Sequence, residues 1–410
     1  MRLTGRREFL RVSATSAAVM TFGGLAPSPL VAAAMEGSTD RILVVIELAG
    51  GNDGLNTVVP FSDDAYYKAR PELAIPGSDV LRIDGEQGLH PALRGFADLL
   101  ESDRLAVVQN VGYPNPNQSH FESMDIWHTC QRKTETRTDG WLGRFFEHQK
   151  SGTTDPRAIH LGHDKQPFAL MSRDVRVPSI RSLDQFRLLG IDDATFRAAV
   201  SGLSDAERPD DNDLLSFVQS STSSAIAASE RLGLSGRSNQ GSVTYPSTQL
   251  GSQLKTVAQL IASGLTTSVY YLQLSGFDTH SQQPDAHAGL LRHLGNATKA
   301  FLDDMDELQQ SDRVVVMAFS EFGRRVQQNA SDGTDHGTAG PMFLAGRAIR
   351  SGLTGKAPDL RDLRDGDLVF EIDFRRVYAS VLGSWFGSDP QPLLLGDYQP
   401  VDVFRSSPGG

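Results

Sequence analysis

The sequence predicts an α/β fold, a doubly wound and mostly parallel sheet flanked by helices. Two observations carry that expectation. Five short apolar runs each end in Gly or Ser before a polar loop, as strands buried on both faces do, and amphipathic helical segments lie between them. Strands separated by helices build parallel sheets through crossover connections. With 410 residues, 39% of them hydrophobic and 22% charged, the chain can bury one large α/β core or two to three smaller ones.

Taken in order, the first segment is not part of that fold. "GRREFLRVSATSAAVMTFGGLAPSPLVAAA" pairs Arg6 with Arg7, follows them with Phe9, Leu10 and a small-residue apolar stretch, and ends in Ala32-Ala33-Ala34, an A-x-A cleavage pattern. This predicts a twin-arginine signal over residues 1–34, delivery to the periplasm or beyond, and the twin-arginine translocase as partner during export. The apolar stretch is too short and too rich in Gly, Ser and Pro for a stable membrane span. Such export carries proteins already folded, often with a metal or cofactor in place.

Residues 35–410 are expected to form the α/β domain. "RILVVIELAGG" from Arg41 to Gly51 reads as a first buried strand, "HPALRGFADLLES" from His90 to Ser102 as an amphipathic helix, and "RLAVVQNVG" from Arg104 to Gly112 as the next strand. Ser119 precedes the helical "HFESMDIWH" as an N-cap, with Glu122 at the capping-box position. Short mixed segments from Ala158 to Leu189, then an acidic linker, a helix from Leu214 to about Leu232 and a Ser/Gly-rich loop, read as a cap inserted over roughly residues 158–250. "TSVYYLQLSG" from Thr267 and "RVVVMAFS" from Arg313 are further strands around a long helix, His287 to Gln310. "MFLAG" from Met342 is the last strand, and an Asp373-capped helix closes the fold.

Composition removes several function classes. Lys+Arg 39 against Asp+Glu 50 gives −11, so no nucleic-acid partner is expected from bulk charge. One cysteine, Cys130, allows neither an intrachain disulfide framework nor a cysteine-based zinc cluster. No G-x-G-x-x-G follows the first strand, and neither a P-loop nor a G-x-S-x-G elbow occurs.

In doubly wound sheets, ligands bind beyond the carboxyl ends of the strands. Asn52 and Asp53 follow the first strand, Ser119 and His120 the second, Asp278 and His280 the third, and Glu321, Asp335 and His336 the fourth. Hard oxygen and imidazole donors at four strand ends suit zinc, manganese, magnesium or calcium. Arg324 or Arg325 could clamp an anionic oxygen. Each group also has a plainer use: Asp53 shapes a turn, Asp278 caps a helix, and the arginines sit on a solvated surface. His128, His148, His160, His163, His287 and His293 read as surface or packing residues.

"LVVIELAGGNDGLNTVVP", "NQSHFESMDIWHT", "GWLGR", "GFDTHSQQ", "SEFGRR" and "DHGTAGPMFLAG", together with the twin-arginine signal, resemble the bacterial "domain of unknown function 1501" family across nearly the whole mature chain. That family is similar to the alkaline-phosphatase and sulfatase superfamily, and the resemblance implies an alkaline-phosphatase-like fold with one or two divalent metals. It implies Asp53, Asp278, His280, Glu321 and His336 as metal ligands and Ser119 as nucleophile; Asp335 supplies a further ligand, or one metal binds, or catalysis is lost, and His120 and Arg324 are placed beside Ser119 in the catalytic set. Phe322 departs from the pattern, since it stands where a ligating histidine is expected. The implied activity is hydrolysis of a small anionic ester. Phosphate is favoured over sulfate because "SHFES" lacks the Cys/Ser-x-Pro-x-Arg setting of sulfatases. The alternative is a non-catalytic periplasmic metal-binding or assembly protein on a degenerate scaffold.

Overall fold

A computed structural model describes residues 40–149, 155–162, 165–180 and 242–405. The twin-arginine segment, the helix expected from Leu214 and the Ser/Gly-rich loop lie outside the described residues. No described helix is long and apolar enough to cross a membrane.

β1 (Ile42–Ala49) is the middle of a nine-stranded sheet. Its even-numbered residues Ile42, Val44, Ile46 and Leu48 pack under α2 (Arg94–Glu101), α5 (Gln249–Ala262) and α6 (Gln283–Glu307). Its odd-numbered Leu43 and Val45 pack under α3 (His120–Thr129), α4 (Trp141–His148) and α7 (Phe374–Ser380) on the other face. Two covered faces explain why the strand reads as a continuous apolar run. α1 is the single turn Gly54–Thr57 that follows β1.

The remaining strands are β2 (Leu105–Gly112), β3 (Ala158–Leu161), β4 (Ser179–Ile180), β5 (Val269–Ser275), β6 (Val314–Phe319), β7 (Gly340–Ala345), β8 (Gly352–Thr354) and β9 (Ile372–Asp373). Their order is β8-β2-β7-β6-β1-β5-β3-β4, with β9 also on β2. β1 pairs parallel with β5 and β6, and β7 alone runs against its neighbours β6 and β2. The fold is thus a mostly parallel sheet between helices, as the sequence predicts. The antiparallel β7 has a consequence for function: the loop leaving β6 must return to the same end of the sheet where it began. That puts Glu321 and His336 at the same end of the sheet.

Two segments expected in the inserted cap belong elsewhere. Ala158–Leu161 pairs parallel with β5, and Ser179–Ile180 pairs with it in turn, so both extend the main sheet. Every residue of β3 is buried, which an overhanging strand could not achieve. Asp373 does cap α7, accepting from the Arg375 amide, and Pro284 opens α6 where a missing N–H costs nothing.

Candidate metal centre

Three loops at the carboxyl end of the sheet are held against one another before any ligand is considered. Gly50 has φ +120 and a Cβ there would lie 2.4 Å from the Asp278 amide nitrogen, so only glycine lets the β5 loop approach. The return loop folds on itself through an antiparallel bridge between Arg324 and His336, with Arg325 N donating to Asp335 O at 2.9 Å. Arg324, 1% exposed, donates to the carbonyls of Gly50, Gly51, Phe277 and Thr334 and to Asp278. Its guanidinium stitches the strand ends together, and its side chain is wholly buried. That corrects the catalytic role expected of it, and Arg325 is likewise engaged, with Asp367.

Around Asp278 the side chains converge. Its Oδ1 lies 3.1 Å from His280 Nε2, 3.1 Å from His336 Nε2 and 3.5 Å from His120 Nε2, and the two nitrogens of His280 and His336 are 3.0 Å apart. On the far side of each ring stands an acceptor: Glu321 Oε1 at 2.8 Å from His120 Nδ1, Asp335 Oδ1 at 3.1 Å from His280 Nδ1, and the Gln118 carbonyl at 2.8 Å from His336 Nδ1. Acceptors on Nδ1 draw the proton there, so each neutral ring turns a lone pair inward at Nε2. Lone pairs and a carboxylate converging at these distances form the kind of donor set that takes a divalent cation. His120 Nε2 is buried and without a hydrogen-bond partner, as expected of an atom meant for a metal. Among the described residues, His120, Asp278 and His336 bring ligand atoms within 4.8 Å of one another, and His280 Nε2 lies beside Asp278 and His336. The donor set of imidazoles and a carboxylate fits a divalent cation.

The electrostatics agree with the geometry. Partial burial pushes the Asp278 carboxyl up, but the hydrogen bond and charge of Arg324, with the imidazoles beside it, outweigh burial and hold the group down at about 2. The Glu321 hydrogen bond raises His120 against the opposing effect of burial. Phe322, 2% exposed, lies beneath two of the rings, 5.0 Å from His120 and 4.9 Å from His336 between centroids. It is a packing wall where a histidine was expected.

Several predicted ligands stand elsewhere. Glu321 and Asp335 orient His120 and His280 from outside, and Glu321 also accepts from Gly50 N at 2.8 Å. Asp53 is not drawn into the cluster. Its Oδ2 pairs with Arg70 at 2.6 Å and accepts from Gln283 at 2.5 Å, with both charged side chains wholly buried. A permanently positive partner leaves no reason for that carboxylate to take a cation. Ser119 is exposed and precedes α3, but its side chain makes no capping bond, and Glu122 binds Arg137 in place of the expected capping box. The sequence reading also set aside His128, which reaches the same cavity as His120. His120, Met124 and His128 recur every four residues on one face of α3, a spacing that could have revealed it.

The cavity holds about 590 Å³ and borders the cluster through His120, Asp278 and Glu321. Phe121, Met124, Phe168 and Met171 give it an apolar side, and Glu47, His128 and Gln273 a polar end.

The network around Asp53 sets a pH expectation. His287 Nε2 meets Asn52 Oδ1 at 3.0 Å, and burial lowers both His287 and the neighbouring His90 to about 4, against the pull of Asp53. The unfolded chain therefore takes up these protons first. Stability is full above the ordinary histidine pKa of about 6.5 and is lost as pH falls from there toward about 4, by on the order of 2–3 kcal/mol for His287. Thermal unfolding followed across that window should show a smaller acid loss in His287→Gln than in the wild type. Equal losses would refute the assignment.

Comparison with solved structures gives similarity at low identity. The zinc complex of the C-terminal periplasmic domain of EcEptC from Escherichia coli has TM-score 0.39 and 9% identity, covering 76% of this chain and 74% of that chain. The PsFucS1 sulfatase from Pseudoalteromonas sp. has TM-score 0.40 and 10% identity, covering 91% and 72%. The soluble domain of lipooligosaccharide phosphoethanolamine transferase A from Neisseria meningitidis has TM-score 0.32 and 11% identity, covering 76% and 77%. No curated protein matches the chain in sequence. The sequence pattern of one family spans residues 40–393, and the chain belongs to that family, described as "Protein of unknown function (DUF1501)".

Proposed function

We propose that the chain is an exported, metal-dependent hydrolase of phosphate esters, with sulfate esters less favoured. One divalent cation would be held by His120, Asp278, His280 and His336. The observation that supports this most is the inward turn of three imidazoles onto Asp278 Oδ1, each ring held by an acceptor on its other nitrogen. A cation bound there supplies a Lewis acid that draws charge from an ester oxygen.

The chain's own residues do the rest. Ser119 stands at the N-terminus of α3 between Gln118, whose carbonyl holds His336, and His120. An exposed hydroxyl so placed can attack phosphorus in line, forming the Ser119 Oγ–P bond as the P–O bond to the alcohol breaks and the hydroxyl proton passes to the departing alkoxide, with the first-turn amides of the helix favouring the anion. Water then cleaves the phosphoserine. Asp335 and Glu321 keep the imidazoles oriented throughout. Residues 1–34 support export through the twin-arginine translocase to the periplasm or beyond. The part of the expected cap that lies between β3 and β4 would choose the substrate, since Lys165, Phe168 and Met171 border the cavity.

Phe322 favours a second reading. Its ring takes the place of a second set of ligands, and Arg324 offers substrate no clamp, as in a protein that binds metal without turnover. Aryl phosphate hydrolysis by purified protein, before and after chelation and reloading, separates the two. Turnover that disappears and returns with metal, and that drops on the order of 10³-fold or more in Ser119→Ala, is the expected result. Metal-loaded protein with no turnover on phosphate or sulfate esters would leave the binding reading.

A further inference from the structure

Glu47 stands where the alternation of β1 calls for an apolar side chain. It follows Leu43 and Val45 on the face under α3 and is 2% exposed. Burying a carboxylate is costly unless donors surround it, and here three do: His128 Nε2 at 2.9 Å, Tyr271 Oη at 2.6 Å and Gln273 Nε2 at 2.7 Å. Burial pushes the Glu47 carboxyl up, but His128 and these hydrogen bonds prevail and bring it below its usual value, so it is ionised.

An ionised carboxylate accepts only donors, which fixes its partners' orientations. His128 must therefore hold a proton on Nε2, and a neutral ring turns its Nδ1 lone pair toward the cavity. Among the described residues Nδ1 has no partner, and His128 is 5% exposed and lines the cavity. Gln273 turns its amide nitrogen to Glu47, which leaves its carbonyl oxygen as an acceptor. Asp125, one turn before His128 on α3, adds a carboxylate to the same wall, with its Oδ2 paired to Arg137 at 3.3 Å. His128 Nδ1, the Gln273 carbonyl and Asp125 thus give the polar end of the cavity three acceptors, Lys165 also lines the cavity, and Met124, Phe168 and the 88%-exposed Phe121 flank it with carbon.

We infer that this end of the cavity is a subsite that binds a hydrogen-bond-donor group, a hydroxyl or an ammonium, on the organic part of the ester, with the apolar wall covering its carbon skeleton. The word ester rests on the hydrolase reading, whereas the subsite itself needs no turnover. Glu47 positions His128, and His128 touches the ligand.

The test uses the full chain, ¹⁵N-labelled, with His128 assigned by comparison with His128→Leu. Its two-bond ¹H–¹⁵N pattern should show Nε2 protonated and Nδ1 bare at neutral pH. Glycerol and ethanolamine serve as donor probes, against 1,2,3-trimethoxypropane and choline methyl ether, which keep the skeletons but have no N–H or O–H. At least one donor probe should shift Nδ1 and bind about 10-fold or more tighter than its methylated counterpart, the equivalent of one hydrogen bond, and the preference should vanish in His128→Leu. The better of the two assigns hydroxyl or ammonium. A proton on Nδ1, equal affinities, no binding by either donor probe, or a preference that survives in His128→Leu would overturn the inference. These probes carry no phosphate or sulfate, so failure of the hydrolase reading and failure of this one are told apart.

Discussion

Asp278→Ala protein is expected to purify without bound divalent metal, where wild type carries about one equivalent. Asp278 supplies the one negative charge among the four inward-facing atoms, and its Oδ1 is the point on which the three Nε2 atoms converge. Removing it takes both a ligand and the charge that offsets the cation. Asp335→Asn should behave differently. Asp335 touches only the outer nitrogen of His280 among the rings and is 55% exposed, so its loss should weaken metal affinity by roughly 10–100-fold without abolishing binding. Elemental analysis and competition with a calibrated chelator measure both. Equal metal in wild type and Asp278→Ala would sink the centre, and equal affinity in Asp335→Asn would remove its orienting role.

That hierarchy marks the boundary of what the sequence could show. The strands were legible because β1, β5 and β6 are covered on both faces and so read as unbroken apolar runs. The direction of β7 was not, since an apolar pentapeptide has no polarity of its own and only its pairing with β6 and β2 sets it. β3 looked like a cap strand for the same reason: four residues do not reveal which sheet will accept them. At the site, the rule of strand ends found Asp278, His280, Glu321, Asp335 and His336 together. It could not tell a ligand from the carboxylate that orients a ligand, because both are acidic residues a few positions from a histidine. Glu47 was visible as a charge inside an apolar strand, yet its meaning depends on His128 eighty-one residues away.

Arg70→Met should cost about 3–5 kcal/mol of stability, the largest effect expected of a substitution outside the metal cluster. The Arg70 and Asp53 side chains are both 0% exposed and 2.6 Å apart. Burial pushes the Asp53 carboxyl up, and the charge and hydrogen bond of Arg70 bring it below its usual value. Arg70 also donates to the carbonyls of Val326 at 3.0 Å and Arg325 at 2.9 Å, tying the return loop to the turn after β1. Methionine fills much of the volume but leaves Asp53 a charge without a counterion in the interior, and the backbone carbonyls without donors. A folded domain has only about 5–15 kcal/mol to lose, so the variant should show a much lower urea midpoint. Adding Asp53→Leu to Arg70→Met should restore part of the loss, since it removes the stranded charge. The double variant also tests the placement of Asp53 outside the metal centre: it should still bind one equivalent of metal, whereas a ligand's removal would lower the stoichiometry or the affinity. If the double variant folds but has lost its metal, Asp53 belongs in the centre after all, and the Arg70 pair is an arrangement that metal binding breaks.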